Sequence, residues 1–134
     1  MIGTVVIGVD ASEHSARLVE WCCSCFADTP TRLVVVACYT RRPELGGETN
    51  DLLRDELAAD VAEVAQPLAA AGIDHEQRVL DGDPRLVLQQ VALESGADLL
   101  AVASRGHGQV TDLLLGSVAS YLTHHSRTPI VVVR

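Results

Sequence analysis

Leu99-Leu100-Ala101-Val102-Ala103-Ser104-Arg105-Gly106-His107-Gly108, followed after Gln109 to Leu115 by Gly116-Ser117-Val118, is the stretch whose reading decides the fold. A solid apolar run, Leu99 to Ala103, stops at a Ser-Arg-Gly-His-Gly loop, and Gly116-Ser117 then opens a helical pattern. Strand, glycine loop and helix N-terminus in that order make an anion site out of backbone. Glycines let main-chain N–H groups approach a phosphate closely, and the first helical turn adds unpaired donors and the positive end of a dipole. The same pattern also serves as a tight strand-to-helix connection that binds nothing. The rest of the chain has to decide between the two.

Composition narrows the choice. The 134 residues are the length of one domain with a real core. Hydrophobic residues make up 48% and aromatics only 3%, so that core is aliphatic and suits a parallel sheet covered on both faces. A net charge of −8 argues against nucleic acid or anionic lipid as the main partner. All ten basic residues are arginine, which excludes a P-loop lysine, a Schiff base and a pyridoxal-phosphate enzyme. Met1-Ile2-Gly3-Thr4 leads straight into a strand without a basic leader, and no apolar run reaches the roughly 18 residues of a membrane span. A soluble, cytoplasmic protein is expected, with no membrane partner. Cys22, Cys23 and Cys25 are too crowded for a disulfide framework; Cys22 and Cys25 share helical spacing with Leu18 and Trp21 and read as small core hydrophobes. His124-His125 is the only paired donor set, too incomplete for a metal site.

Read in order, the chain alternates. Thr4 to Val9 is a β-branched run, hence a doubly buried strand ending at Asp10-Ala11-Ser12, where Ser12 is placed to cap a helix from Glu13 to Phe26. Arg32 to Cys38 is a second strand. Tyr39 to Asn50, with Pro43, Gly46 and Gly47, reads as a mobile loop, and Asp51 to Ala71 as a helix with Leu53, Leu57, Val61, Val64 and Leu68 on one face. Pro67 is expected to break or kink its last turn, and Gly72 to close it. Glu76 to Leu80 is a third strand near an edge. Asp83 as N-cap and Pro84 start a helix that ends at Ser95-Gly96. Asp98 to Ala103, Ser117 to His125 and Ile130 to Val133 complete five strands and four helices. Parallel strands joined by right-handed crossovers give a three-layer α/β sandwich, which takes its ligands outside the strands' carboxyl ends.

Asp10-Ala11-Ser12, Gly82-Asp83-Pro84, and Ser104-Arg105-Gly106-His107-Gly108 with Gly116-Ser117 together resemble the universal stress protein family along the whole chain. The ATP-binding members carry Gly, two residues, Gly, nine residues, then Gly followed by Ser or Thr. Gly106, His107 to Leu115, and Gly116-Ser117 match; the first glycine is Ala103 instead. The resemblance implies the adenine-nucleotide α-hydrolase-like sheet order 3-2-1-4-5, and ATP with magnesium as ligand. It implies Asp10 near the ribose or the magnesium, and Ala11, Ser12 and Cys38 lining the adenine and ribose pocket. Ala103, Arg105 and Gly106 would face sugar and phosphates, while Gly116, Ser117, Val118 and Ala119 would hold the triphosphate. Ala119 stands where the family often has a hydroxyl. If position 103 needs φ > 0, its Cβ costs about 1–2 kcal/mol. If the family's glycine serves close approach instead, the methyl displaces the ligand slightly.

With no lysine, a triphosphate of about four charges is left to Arg105, magnesium held through water by Asp10, and the N–H groups at Gly116 to Val118. That is a binding apparatus. Fast hydrolysis needs a positioned base and a clamp on the γ-phosphate, and His107 is a loop histidine of the kind that usually faces solvent. Whether the chain is an enzyme at all stays open: slow ATP hydrolysis or self-phosphorylation at Ser117 or a loop hydroxyl is the most to expect, with no catalytic residue assigned. Glu56, Asp60 and Glu63 read as a solvated face. In the implied order Ile130-Val133 is a bare aliphatic edge, a template for a homodimer, and the resemblance points the same way. The expected function is a dimeric, ATP-binding sensor or regulator. The alternative is a nucleotide-independent dimeric interaction module of the same fold.

Overall fold

The aliphatic runs become strands of one sheet. The computed structural model describes residues 1–105 and 115–134. Its elements are β1 (Thr4–Gly8), α1 (Glu13–Phe26), β2 (Arg32–Tyr39), α2 (Gly47–Ala70), β3 (His75–Asp81), α3 (Pro84–Glu94), β4 (Leu99–Ala103), α4 (Ser117–His125) and β5 (Ile130–Val133), with a 3-10 turn at Pro43–Leu45. The sheet is parallel throughout, ordered β3-β2-β1-β4-β5. Val6 of β1 sits level with Val34 of β2 and Leu100 of β4, so the central strand is aliphatic in both directions.

Side-chain alternation along β1 builds two cores. Val5 and Ile7 pack with Leu18, Val19, Cys22 and Phe26 of α1 and Val61, Ala65 and Leu68 of α2. Val6 packs on the opposite face with Leu88, Val91 and Ala92 of α3 and Ala119 and Leu122 of α4. Five consecutive residues of β2, Leu33 to Ala37, are buried, as helices on both faces require.

Several expectations are corrected. The segment from Tyr39 to Asn50 is not an open loop: α2 starts at Gly47. Asn50 is 2% exposed, and its amide donates to the carbonyls of Arg42 and Gly46 at 2.8 and 2.7 Å while its oxygen accepts the Arg42 N–H at 2.7 Å. Those bonds latch the turn onto the helix. α2 runs through Pro67 to Ala70, because the proline lies on the exposed side and the helix closes beyond it. Gly72 (φ 70°) and the Ile73 N–H donating to Leu68 O then end it in a left-handed cap.

Cys25 is exposed and does not join the core. The buried stripe of α1 is centred on Ser15, Cys22 and Phe26, and at 100° per residue Trp21 and Cys25 fall on its flank. Asp98 lies outside β4; its carboxylate accepts the N–H groups of Gly3 and Thr4 at 2.8 and 3.1 Å and pins the start of β1. Among the described residues, no helix is long and apolar enough to cross a membrane.

Candidate functional site

β1 and β4 are sheet neighbours although α1, β2, α2, β3 and α3 lie between them in sequence, so chain direction reverses at their carboxyl ends and a crevice must open there. It does. A cleft of about 220 Å³ is lined by Gly8, Val9 and Asp10 from β1 and its exit, Ser15 of α1, Val36 and Cys38 of β2, and Pro84 and Leu88 of α3. Val102, Ala103 and Arg105 line it from β4 and its exit, and Gly116, Ser117, Val118 and Ala119 from the start of α4.

The residues singled out from the sequence are therefore mostly brought together. Asp10, Cys38, Ala103, Arg105, Gly116, Ser117, Val118 and Ala119 share the cleft. Ala11 and Ser12 do not line it. Ala11 turns to a shallow groove between α1 and α2, with Glu20, Asp60 and Glu63 on its rim. Ser12 acts through Asp10: its N–H donates to Asp10 Oδ1 at 2.9 Å, and its hydroxyl donates to the same oxygen. That hydroxyl does not cap α1. Gly106 and His107 lie outside the described residues.

The first turn of α4 supplies the donors. Gly116 is the N-cap (φ −64°, ψ 165°), a conformation open to any residue, so the backbone itself does not require glycine. Its N–H donates to Ser104 O at 2.6 Å. Gly116 N–H, expected to face a phosphate, is engaged by that carbonyl in this structure. The N–H groups of Ser117, Val118 and Ala119 remain, the first three of a helix, with no intrahelical partner. Ala103 ends β4 beside Val133, and the only non-glycine residue with positive φ among those described is Asp28. Its methyl therefore strains no backbone, and only the close-approach cost remains.

Among the described residues of the lining, Asp10 is the one carboxylate and Arg105 the one guanidinium. Burial, and secondarily the Asp83 carboxylate, push the Cys38 thiol up to about 11, so it stays a neutral wall. Asp83 caps α3 by accepting the Arg85 N–H at 3.0 Å. The Arg85 side chain also bonds Asp83 and holds that carboxyl below its ordinary range.

Sequence reasoning missed Gly8, Ser15 and Leu88. A Cβ on Gly8 would come within 2.6 Å of Leu88 Cδ1, so the glycine lets α3 close over β1 at the cleft floor. Its signal was a glycine inside a β-branched run. Among the described residues no group of three or more His, Cys, Asp or Glu could hold a metal. A divalent ion there would arrive with a ligand whose own phosphates carry it.

The sequence model of the universal stress protein family matches residues 1–134. A universal stress protein of Thermus aquaticus is 28% identical over 137 residues, covering 100% of both chains. One from Mycobacterium tuberculosis is 28% identical over 142 residues, covering 97% of this chain and 94% of its own. Among solved structures, a Methanocaldococcus jannaschii protein superposes with a TM-score of 0.90 at 20% identity over 99% of this chain and 96% of its own, which establishes the fold. A universal stress protein solved in complex with cAMP superposes at 0.81 with 31% identity, over 99% and 97%. With its five-stranded parallel sheet in the order 3-2-1-4-5 and a family match along its entire length, the chain belongs to the universal stress protein family.

Proposed function

We propose that the cleft binds an adenine nucleotide, ATP accompanied by magnesium, and that the protein works as a dimeric sensor or regulator with at most slow turnover. The observation that carries this reading is the meeting of Asp10, Arg105 and the first turn of α4, whose three N–H groups have no intrahelical partner, around one cleft at the switch point of the sheet. Helix N–H groups and a guanidinium suit phosphate oxygens. An aliphatic wall of Val36, Leu88 and Val102 suits a base. The relative solved with cAMP, at 31% identity, supports the ligand class. Magnesium carried on the phosphates would offset the charge that one arginine leaves over.

Dimerisation would run through β5, which among the described residues pairs with β4 alone and lies at the edge of the sheet. The described lining offers one carboxylate and no histidine or lysine to serve as a hydrolytic base or clamp.

Thermal unfolding with magnesium-ATP, AMP or cAMP tests this reading. A ligand at 100 times its Kd stabilises by about 2.7 kcal/mol. Response to cAMP alone would keep the cleft and change the ligand. No response to any nucleotide at millimolar concentration would leave the interaction module.

A further inference from the structure

Ser15 has a role that its position in an ordinary helical turn conceals. It lies in the first turn of α1, on the buried stripe, 2% exposed, and it lines the cleft. Both of its side-chain bonds go to one residue: Oγ accepts the Asp10 N–H at 2.8 Å and donates to Asp10 Oδ1 at 3.0 Å. A hydroxyl has one proton to give and lone pairs to receive, so this double contact fixes both the backbone and the side-chain rotation of Asp10. The Ser12 N–H and hydroxyl converge on the same Oδ1. Asp10 Oδ2 accepts nothing from the described residues, yet it is not a buried orphan. Among the described residues it is an open acceptor, held at a fixed angle in the cleft wall.

What should meet it follows from sheet order. Asp10 leaves β1, which lies between β2, carrying Cys38, and β4, leading to Arg105. An adenine nucleotide with phosphates at Arg105 and α4 and its base toward β2 places its sugar in the middle. An ionised carboxylate accepts but cannot donate, so it attracts hydroxyls and repels phosphates. We propose that Ser15 is a positioning residue that presents Asp10 Oδ2 to a ribose hydroxyl, making the cleft selective for nucleotides with an intact ribose. This rests on the nucleotide reading above.

The test is calorimetric titration of ATP, 2′-deoxy-ATP and 3′-deoxy-ATP into wild type, Ser15→Ala and Ser15→Thr, with folding checked by circular dichroism. Wild type is expected to lose about tenfold in Kd with at least one deoxy analogue, as a charge-assisted hydrogen bond implies. Ser15→Ala brings that ratio close to one, and Ser15→Thr restores it. Because the ratio is taken within each variant, a general loss of affinity cancels. Asp10→Ala serves if Ser15→Ala fails to fold: it removes the oxygen that meets the ribose hydroxyl and puts no donor in its place, so the ratio is expected to fall close to one. Retention of the ratio in Ser15→Ala or Asp10→Ala overturns the proposal, as does wild type that binds ATP and both deoxy analogues equally. Wild type that binds no nucleotide overturns the functional reading and this one with it.

Discussion

The N–H of Gly116 donates to the carbonyl oxygen of Ser104 at 2.6 Å, tying the start of α4 to the end of β4. That bond sets the helix N-terminus beside the sheet's switch point, and the next three N–H groups have no intrahelical partner. The proposed anion site is thus an outcome of chain geometry, and needs no ammonium group.

Gly116→Val is expected to weaken nucleotide binding by tenfold or more, equivalent to about 1.4 kcal/mol, while oligomeric state and fold persist. The residue's φ and ψ suit valine, so the loss comes from side-chain bulk inside the cleft. Calorimetry beside sedimentation checks this; unchanged affinity would show that the ligand does not approach α4.

Gly8→Ala is expected to destabilise by about 1–3 kcal/mol through overpacking, because the added methyl meets Leu88 Cδ1 at 2.6 Å. In a Leu88→Ala background the same substitution should cost much less. Urea midpoints of the four proteins give the coupling directly, and additive effects would place the strain elsewhere.

Much of this was legible in the sequence for a plain reason. Strands buried on both faces must be continuous aliphatic runs, so β1, β2 and β4 are visible as Val5 to Ile7, Leu33 to Ala37 and Leu99 to Val102. The start of α2 was not legible, because Gly46 and Gly47 carry the signature of a loop and Asn50 becomes a latch only once Arg42 is beside it. Cys25 misled by spacing: seven residues from Leu18 is the same face, but the sheet contacts the helix to one side of it. The cleft was half legible. Residues after glycines and strand ends could be named, whereas Ser15 and Leu88 serve the site through contacts distant in sequence or hidden within a helix.

The edge of β5 gives a sharper prediction. Leu100 N–H bonds Pro129 O and Ser104 N–H bonds Val133 O, so by the two-residue period the backbone groups of Ile130 and Val132 point off the sheet. Val132→Pro removes one outward donor, spares the ladder to β4, and is expected to convert a dimer to a monomer that still binds nucleotide. Sedimentation of wild type and variant decides it: a monomeric wild type, or a variant that stays dimeric, would exclude β5 as the interface.

Burial raises Cys22 to about 12 and Cys38 to about 11, both from an ordinary 9.0. Between those values the unfolded chain gives up thiol protons that the folded chain keeps, so stability falls as pH rises. The stabilising contribution is whole below pH 9 and is lost as pH climbs through about 11 to 12. Alkylation at neutral pH should modify the exposed Cys25 first and spare Cys22 and Cys38. Mass mapping of the modified sites checks the second point and urea midpoints from pH 8 to 11 the first.

The central claim is that a nucleotide sits among Asp10, Arg105 and the first turn of α4. The most direct measurement is amide NMR of isotope-labelled protein titrated with magnesium-ATP. The account predicts saturable shifts concentrated at Asp10, Arg105, Ser117, Val118 and Ala119, with β3 and the α1–α2 groove unmoved. Saturating ATP that leaves those five amides in place, or moves only residues of that groove, would contradict it.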